Sequence, residues 1–227
     1  MTRHEFDIIE EHILSLMQDS AHDKHHIYRV LYSAVDIASY EAGVDNDVLL
    51  ASCLLHDIGR QRQFEDPYVC HAKVGGEMAF DFLLTLNWDN QKALHVKECI
   101  SSHRYRSDNP PETMEAKILF DADKLDISGA MGIARSLIYT GQVAKPLYIV
   151  NNAGDVLTED TGKETHSFFQ EYNFKLTKLY SAFHTTRARQ IAAQRQQAAV
   201  DFYNALYKEV TQNHSIGTDI LSGLLTK

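Results

Sequence analysis

Apolar residues recur at the three-to-four-residue spacing of a buried helix face along almost the whole chain. Phe6, Ile9, Ile13, Leu14, Leu16 and Met17 form one stripe, and Ile27, Val30, Leu31, Ala34, Ile37 and Ala38 form the next. Gly43 stops the second, and Asp45 or Asn46 can cap a third helix that runs through Leu49, Leu50, Cys53 and Leu54 to His56, ahead of Gly59. That third segment is apolar on most sides, so it is expected at the centre of the fold. Further helices are expected near 71–86, near 89–103, and from the Pro110-Pro111-Glu112 start signal through Leu119, continuing with a bend to about Tyr139. Residues 141–163 lose the helical period, contain Pro146, and hold an Asn-Asn-Ala-Gly-Asp turn between β-prone runs at 147–150 and 156–158, which predicts a loop with one small hairpin. From 164 to 210 the helical pattern returns in two long segments, the second with Ile191, Ala198, Phe202 and Leu206 on its buried stripe. With no repeat, linker or set of strands, the expectation is a single all-α domain over 1–227.

Composition narrows the class. At 227 residues and 44% hydrophobic content, the chain can bury one sizeable core. With 23% charged residues and only 4 prolines and 11 glycines, disordered, collagen-like and low-complexity classes are excluded. No apolar run approaches the roughly 18 residues of a membrane-spanning helix, and the opening MTRHEFDIIEEH has acids where a signal peptide has apolar residues. A cytoplasmic location is therefore expected. Cys53, Cys70 and Cys99 form neither a CxxC pair nor an even framework, which predicts free thiols in a reducing compartment. The net charge of −9 argues against binding a nucleic-acid polymer or an anionic membrane, and an anionic small molecule would need a local cationic patch.

The unusual count is 12 histidines. Several stand with acids: His22-Asp23-Lys24-His25-His26, His56-Asp57, His71, His103-Arg104 and Asp121-Ala122-Asp123-Lys124-Leu125-Asp126, on successive predicted helices. Mn, Fe and Zn accept both carboxylate oxygen and neutral imidazole, so a mixed His/Asp cage on helices is chemically sensible. A His-Asp pair at the end of a helix can converge on one ion, and Gly59 beyond it is expected to let a ligand approach the backbone.

The order His26, His56-Asp57, Asp123 resembles the H…HD…D signature of the HD-domain metal-dependent phosphohydrolases, a helical-bundle family. The text around His22-Asp-x-x-His26-Ile-x-Arg29-Val30, and the run from Asp121 through Gly129 to Arg135, resemble a bacterial branch that splits nucleoside triphosphates into monophosphate and pyrophosphate, typically with manganese. The likeness extends over 167 to about 202, with 141–163 matching least. The resemblance implies His26, His56, Asp57 and Asp123 as ligands of a divalent metal, Mn²⁺ foremost, with Mg²⁺, Co²⁺ or Fe as alternatives. It favours Asp123 over Asp121 because Lys-Leu-Asp follows it. His71 and His103 resemble the additional ligands of dinuclear members, or contact phosphate instead. His22 and His25 are expected outside the ligand set, and His4, His12, His95, His166, His184 and His214 on the surface. Lys124 and Asp126 join Asp57 as catalytic candidates, while Arg29, Arg60, Lys73 and Arg104 are candidate phosphate contacts. Some members carry a carboxylate three residues beyond the HD pair; here that position is Arg60, so Asp126 or His71 would take over proton transfer. The implied partner is a phosphorylated small molecule, a nucleotide. Competing readings are a nucleotide phosphatase or phosphodiesterase on the same cage, a di-iron oxygenase of the HD type, and a nucleotide-binding regulator without turnover. P-loop, GxSxG and GxGxxG motifs are missing, so those enzyme classes have no support.

Overall fold

The structure is a computed structural model that describes residues 1–16, 24–104, 109–151, 153–159, 162 and 166–225. Its regular elements are helices, apart from one antiparallel bridge between Val150 and Val156. The chain divides into two compact units, the first comprising Met1–Asp126 and Phe183–Gln190, the second Ile127–Ala182 and Ile191–Lys227.

In the first unit, α1 (Arg3–Leu16) buries Ile9 and Ile13, and α2 (Lys24–Ala38) buries Ile27, Val30, Leu31, Ala34 and Ile37 together with His26. The period that buries the apolar stripe therefore turns His26 inward as well. In α3 (Asn46–Leu55) the Asp45 carboxylate accepts from the backbone of Asp47 and Val48, choosing between the two caps that the sequence offers. Its residues from Val48 to Leu55 are buried on nearly every side except at Leu50, as expected of a central helix. α4 (Arg60–Glu65) follows, then α5 (His71–Thr85), α6 (Asn90–Ser102, capped by Asp89) and α7 (Met114–Asp126). The periodic pattern did not predict α4, because its six residues include no buried side chain and so leave no stripe. α7 starts two residues beyond the Pro-Pro-Glu signal, where the Thr113 hydroxyl accepts from Ala116 N.

The bend expected on the way to Tyr139 is a full break: α8 (Gly129–Gln142) starts anew after Ser128, with Gly129 at φ +62°. A side chain is excluded there, since a Cβ on Gly129 would stand 2.7 Å from Cβ of Arg195. In the second unit the chain turns at Asn151, whose Oδ1 accepts from the backbone of Ala153 and Asp155, and among the described residues the expected hairpin is reduced to the single bridge between Val150 and Val156. α9 (Phe168–Glu171) carries a capping box from Ser167 and Gln170 and passes through a π-helical turn (Tyr172–Leu176) into α10 (Thr177–Leu179). α11 (Thr186–Leu225) runs 40 residues, well past the expected end near 210. Ile133, Val156, Phe168, Phe169, Tyr172, Leu176 and Ala199 form the core of this unit, with Tyr203, Leu206, Tyr207 and Val210 against it. The buried stripe of α11 is thus offset from the expected one: Ala198 is exposed and Phe202 is 41% exposed, while Ala192 and Ala199 are buried. Paired alanines at 192–193 and 198–199 give that helix two nearly equal apolar faces, and the aromatic core selects between them.

Candidate metal centre

Six side chains from five regions of the first unit converge. His26 comes from the first turn of α2, His56 caps the C-terminus of α3, and Asp57 lies in the turn beyond it. His71 opens α5, His103 caps α6, and Asp123 lies in the last turn of α7. Two of these histidines end helices for a local reason. The last carbonyls of a helix lack partners, and Nδ1 of His56 and His103 reach back three residues to the carbonyls of Cys53 (2.8 Å) and Ile100 (2.6 Å). His26 Nδ1 lies 2.7 Å from Asp126 Oδ2, and His71 Nδ1 lies 2.5 Å from Gln63 Oε1.

Each of those partners is an acceptor, which assigns the ring proton to Nδ1 and leaves Nε2 as a lone pair. The Nε2 atoms point at one another in pairs, His26 to His56 at 3.1 Å and His71 to His103 at 3.3 Å. Two lone pairs at that distance repel unless a positive charge lies between them. A proton is a poor candidate: burial above all pushes the His56 and His71 imidazolium forms below their ordinary range and takes His103 down to about 3, against the pull of Asp123 and Asp57. The donors instead fit a metal. His26, His56 and Asp123 form one group and Asp57, His71 and His103 another, and in each the ligand atoms lie within 4.8 Å of one another.

Asp57 joins the groups. Its Oδ2 lies 3.5 Å from His26 Nε2 and 3.7 Å from His56 Nε2, and its Oδ1 lies 3.5 Å from His71 Nε2 and 3.9 Å from His103 Nε2. Three donors at either set of spacings share a point about 2 Å from each, the length of a metal bond to imidazole or carboxylate. Asp123 Oδ1 faces the first set, 3.8 Å from His26 Nε2. Burial by itself would raise the Asp123 carboxyl, yet the Lys124 ammonium beside it holds it well below the usual range. Asp121 faces elsewhere, accepting from the backbone of His184 and Thr185 and from the Thr185 hydroxyl.

What approaches Gly59 is the backbone of α5 rather than a ligand. A Cβ there would stand 2.3 Å from the His71 carbonyl oxygen and 2.7 Å from Gly75 N, so two glycines allow the His-Asp turn to press against α5 and bring Asp57 to His71. Among the candidate phosphate contacts, Arg29 is held in a two-pronged bond to Asp126 at 2.5 and 3.0 Å. Arg60 Nη2 donates to Asp57 Oδ1 at 2.9 Å, and Arg104 Nη1 donates to Cys70 Sγ at 3.4 Å. Lys124 Nζ lies 2.6 Å from Asp123 Oδ2 and is buried, whereas Lys73 is exposed on α5. Asp126 uses both oxygens to hold His26 and Arg29, a positioning duty that its place in the motif does not reveal. Gln63 was not anticipated, since a neutral amide on a short exposed helix carries no sequence signature. His22 lies outside the described residues, and His25 is exposed. His95 is only partly on the surface, bridging Thr113 (3.0 Å) and Glu115 (3.3 Å). Cys53, Cys70 and Cys99 are free thiols, and no helix among the described residues is long and apolar enough to cross a membrane.

Residues 24–128 match the family model of the HD domain, a span that holds all six side chains. The Bacillus subtilis protein YpgQ is 27% identical over 194 residues, 85% of this chain and 86% of its own length. Its crystal structure in complex with ADP is similar at a TM-score of 0.69 and 25% identity, across 90% of this chain and 97% of that one. A protein from an uncultured Thermotogales bacterium described as a predicted HD-superfamily hydrolase is similar at a TM-score of 0.60 and 29% identity, across 91% and 92% of the two chains. The 3'-5' exoribonuclease YhaM of Bacillus licheniformis is 25% identical over 143 residues, 56% of this chain but 46% of the relative. With the His-Asp clusters lying inside the matched span, residues 24–128 form an HD domain, and the chain as a whole is similar to HD-superfamily hydrolases, which supports a metal-dependent hydrolase.

Proposed function

We propose that this chain hydrolyses a nucleoside triphosphate to the monophosphate and pyrophosphate, with Mn²⁺ held by His26, His56, Asp57 and Asp123. The observation that carries the reading is the pair of donor sets joined through the two oxygens of Asp57. When bound, a divalent ion supplies Lewis acidity, acidifying water and polarising a phosphoryl oxygen. The protein's own groups do the rest. Asp126 and the Cys53 carbonyl lock the tautomers of His26 and His56, so both rings present lone pairs without rearrangement. Lys124 balances Asp123, and Lys73 is the exposed candidate for neutralising a polyphosphate in a chain of net charge −9, while Arg29 and Arg104 would have to serve it alongside their bonds to Asp126 and Cys70. His71 and His103 extend the site to a second ion or to phosphate. YpgQ, similar in fold, has been crystallised with ADP, which supports a nucleotide as the substrate class. The three free thiols fit a cytoplasmic setting.

Hydrolysis of nucleoside triphosphates in ¹⁸O-labelled water with Mn²⁺ tests the bond that is cut. Label in the monophosphate is expected, whereas label confined to orthophosphate would mean terminal attack and a phosphatase. The doubled donor set also suits two iron ions, so a di-iron oxygenase is the second reading. Iron-dependent oxygen uptake without nucleotide hydrolysis would favour it.

A further inference from the structure

The two donor sets differ in the charge that surrounds them. Around the first stand three carboxylates, those of Asp57, Asp123 and Asp126, against two cations, Lys124 on Asp123 and Arg29 on Asp126. Facing the second are the shared Asp57 and, acting on His103, Asp123, but the Asp57 oxygen on that side is already bonded to Arg60, and Arg104 adds a second positive charge acting on His71. The guanidinium stands behind the second set: Nη2 donates to Asp57 Oδ1 at 2.9 Å, and Nη1 lies 3.2 Å from His71 Nδ1, whose proton goes to Gln63. Gln63 Oε1 holds it there, lying 3.4 Å from Nη1 while accepting from His71. The Asp57 side chain is 2% exposed and that of Arg60 25%, so little water screens this charge from the donors beside it.

We infer that Arg60 sets the affinity of the second cation position, its fixed charge on Asp57 Oδ1 making Asp57/His71/His103 the weaker of the two, so that at limiting metal only the first position fills. The inference rests on the metal role proposed above for these side chains. A guanidinium bonded to a would-be metal ligand repels an incoming cation through the protein, and a unit charge at such range changes affinity by about tenfold or more. Had Arg60 only a supporting role, its loss would loosen Asp57 and His71 and weaken the second position. The two roles therefore predict opposite signs.

Titration of the chelator-treated full chain with Mn²⁺ alone, following free and exchange-coupled Mn²⁺ by electron paramagnetic resonance, reads both positions without turnover. In the wild-type chain the second ion is expected to bind at least about tenfold more weakly than the first. Arg60→Gln should tighten the second ion by about tenfold and leave the first nearly unchanged, and Arg60→Lys, which keeps the charge, should behave like the wild type. Equal affinities in the wild type, a weaker second ion in Arg60→Gln, or tightening in Arg60→Lys would each overturn the inference. A wild-type chain that binds one ion, with Arg60→Gln adding no second, would overturn it as well. Failure of the wild-type chain to bind any ion would instead overturn the metal reading on which it rests.

Discussion

The hydrogen bonds behind the four histidines decide more than the histidines themselves. An imidazole can ligate through either nitrogen, and the acceptor at Nδ1 selects Nε2. Three of these acceptors belong to the local fold: the carbonyls of Cys53 and Ile100, each three residues back, and Gln63 on the short helix before α5. The fourth, Asp126, comes from 100 residues away and is itself clamped by Arg29. Asp126→Asn keeps the size but removes the charge that holds both partners. Metal affinity at the first position is expected to fall about 10–100-fold while the helical circular dichroism persists. Unchanged Mn²⁺ affinity in this variant would show that Asp126 does not position His26.

At the level of elements, the site depends on helices ending where they do. α3 and α6 terminate in candidate ligands, α5 begins with one, and the turn between α3 and α5 is compressed until Gly59 meets the backbone of α5. A methyl group on Gly59 has nowhere to go, because the atoms it meets are backbone rather than the flexible end of a side chain. Gly59→Ala should therefore push the His-Asp turn away from α5, costing about 1–3 kcal/mol of stability in chemical denaturation. Activity should fall by more than the unfolded fraction explains, since Asp57 moves relative to His71. A variant with the wild-type stability and rate would mean that the turn has slack the structure does not show.

For the whole molecule, burying so many imidazoles at one place links folding to pH. The folded chain holds His103 down to about 3, and His56 and His71 are shifted the same way, whereas an exposed histidine titrates near 6.5. Below that value the unfolded chain takes up protons that the folded chain refuses, so stability falls as pH drops from 6.5 towards 3. Asp123, shifted below its ordinary 3.8, adds a loss in the same direction at the acid end. The chelator-treated protein should melt at progressively lower temperature from about pH 6.5 to about pH 5. A flat profile over that interval would contradict neutral burial of these rings.

The sequence by itself determined the helical class, the central place of α3, the approximate starts of α3 and α6, and the motif residues that end up together. These are local properties, carried by the period of apolar side chains and by residues within a few positions of one another. It did not disclose α4, whose exposed residues have no period, nor which alanines of α11 are buried, because both faces look alike over a short span. It left open whether the candidate ligands make one group or two. That was decided by the tertiary structure, through the two directions in which the oxygens of Asp57 face. The same holds for Asp126, an acid among several in its motif until packing of α7 against α2 brings it to His26 and Arg29. The distance between two side chains on different helices depends on how those helices pack, and no periodicity along the chain encodes it.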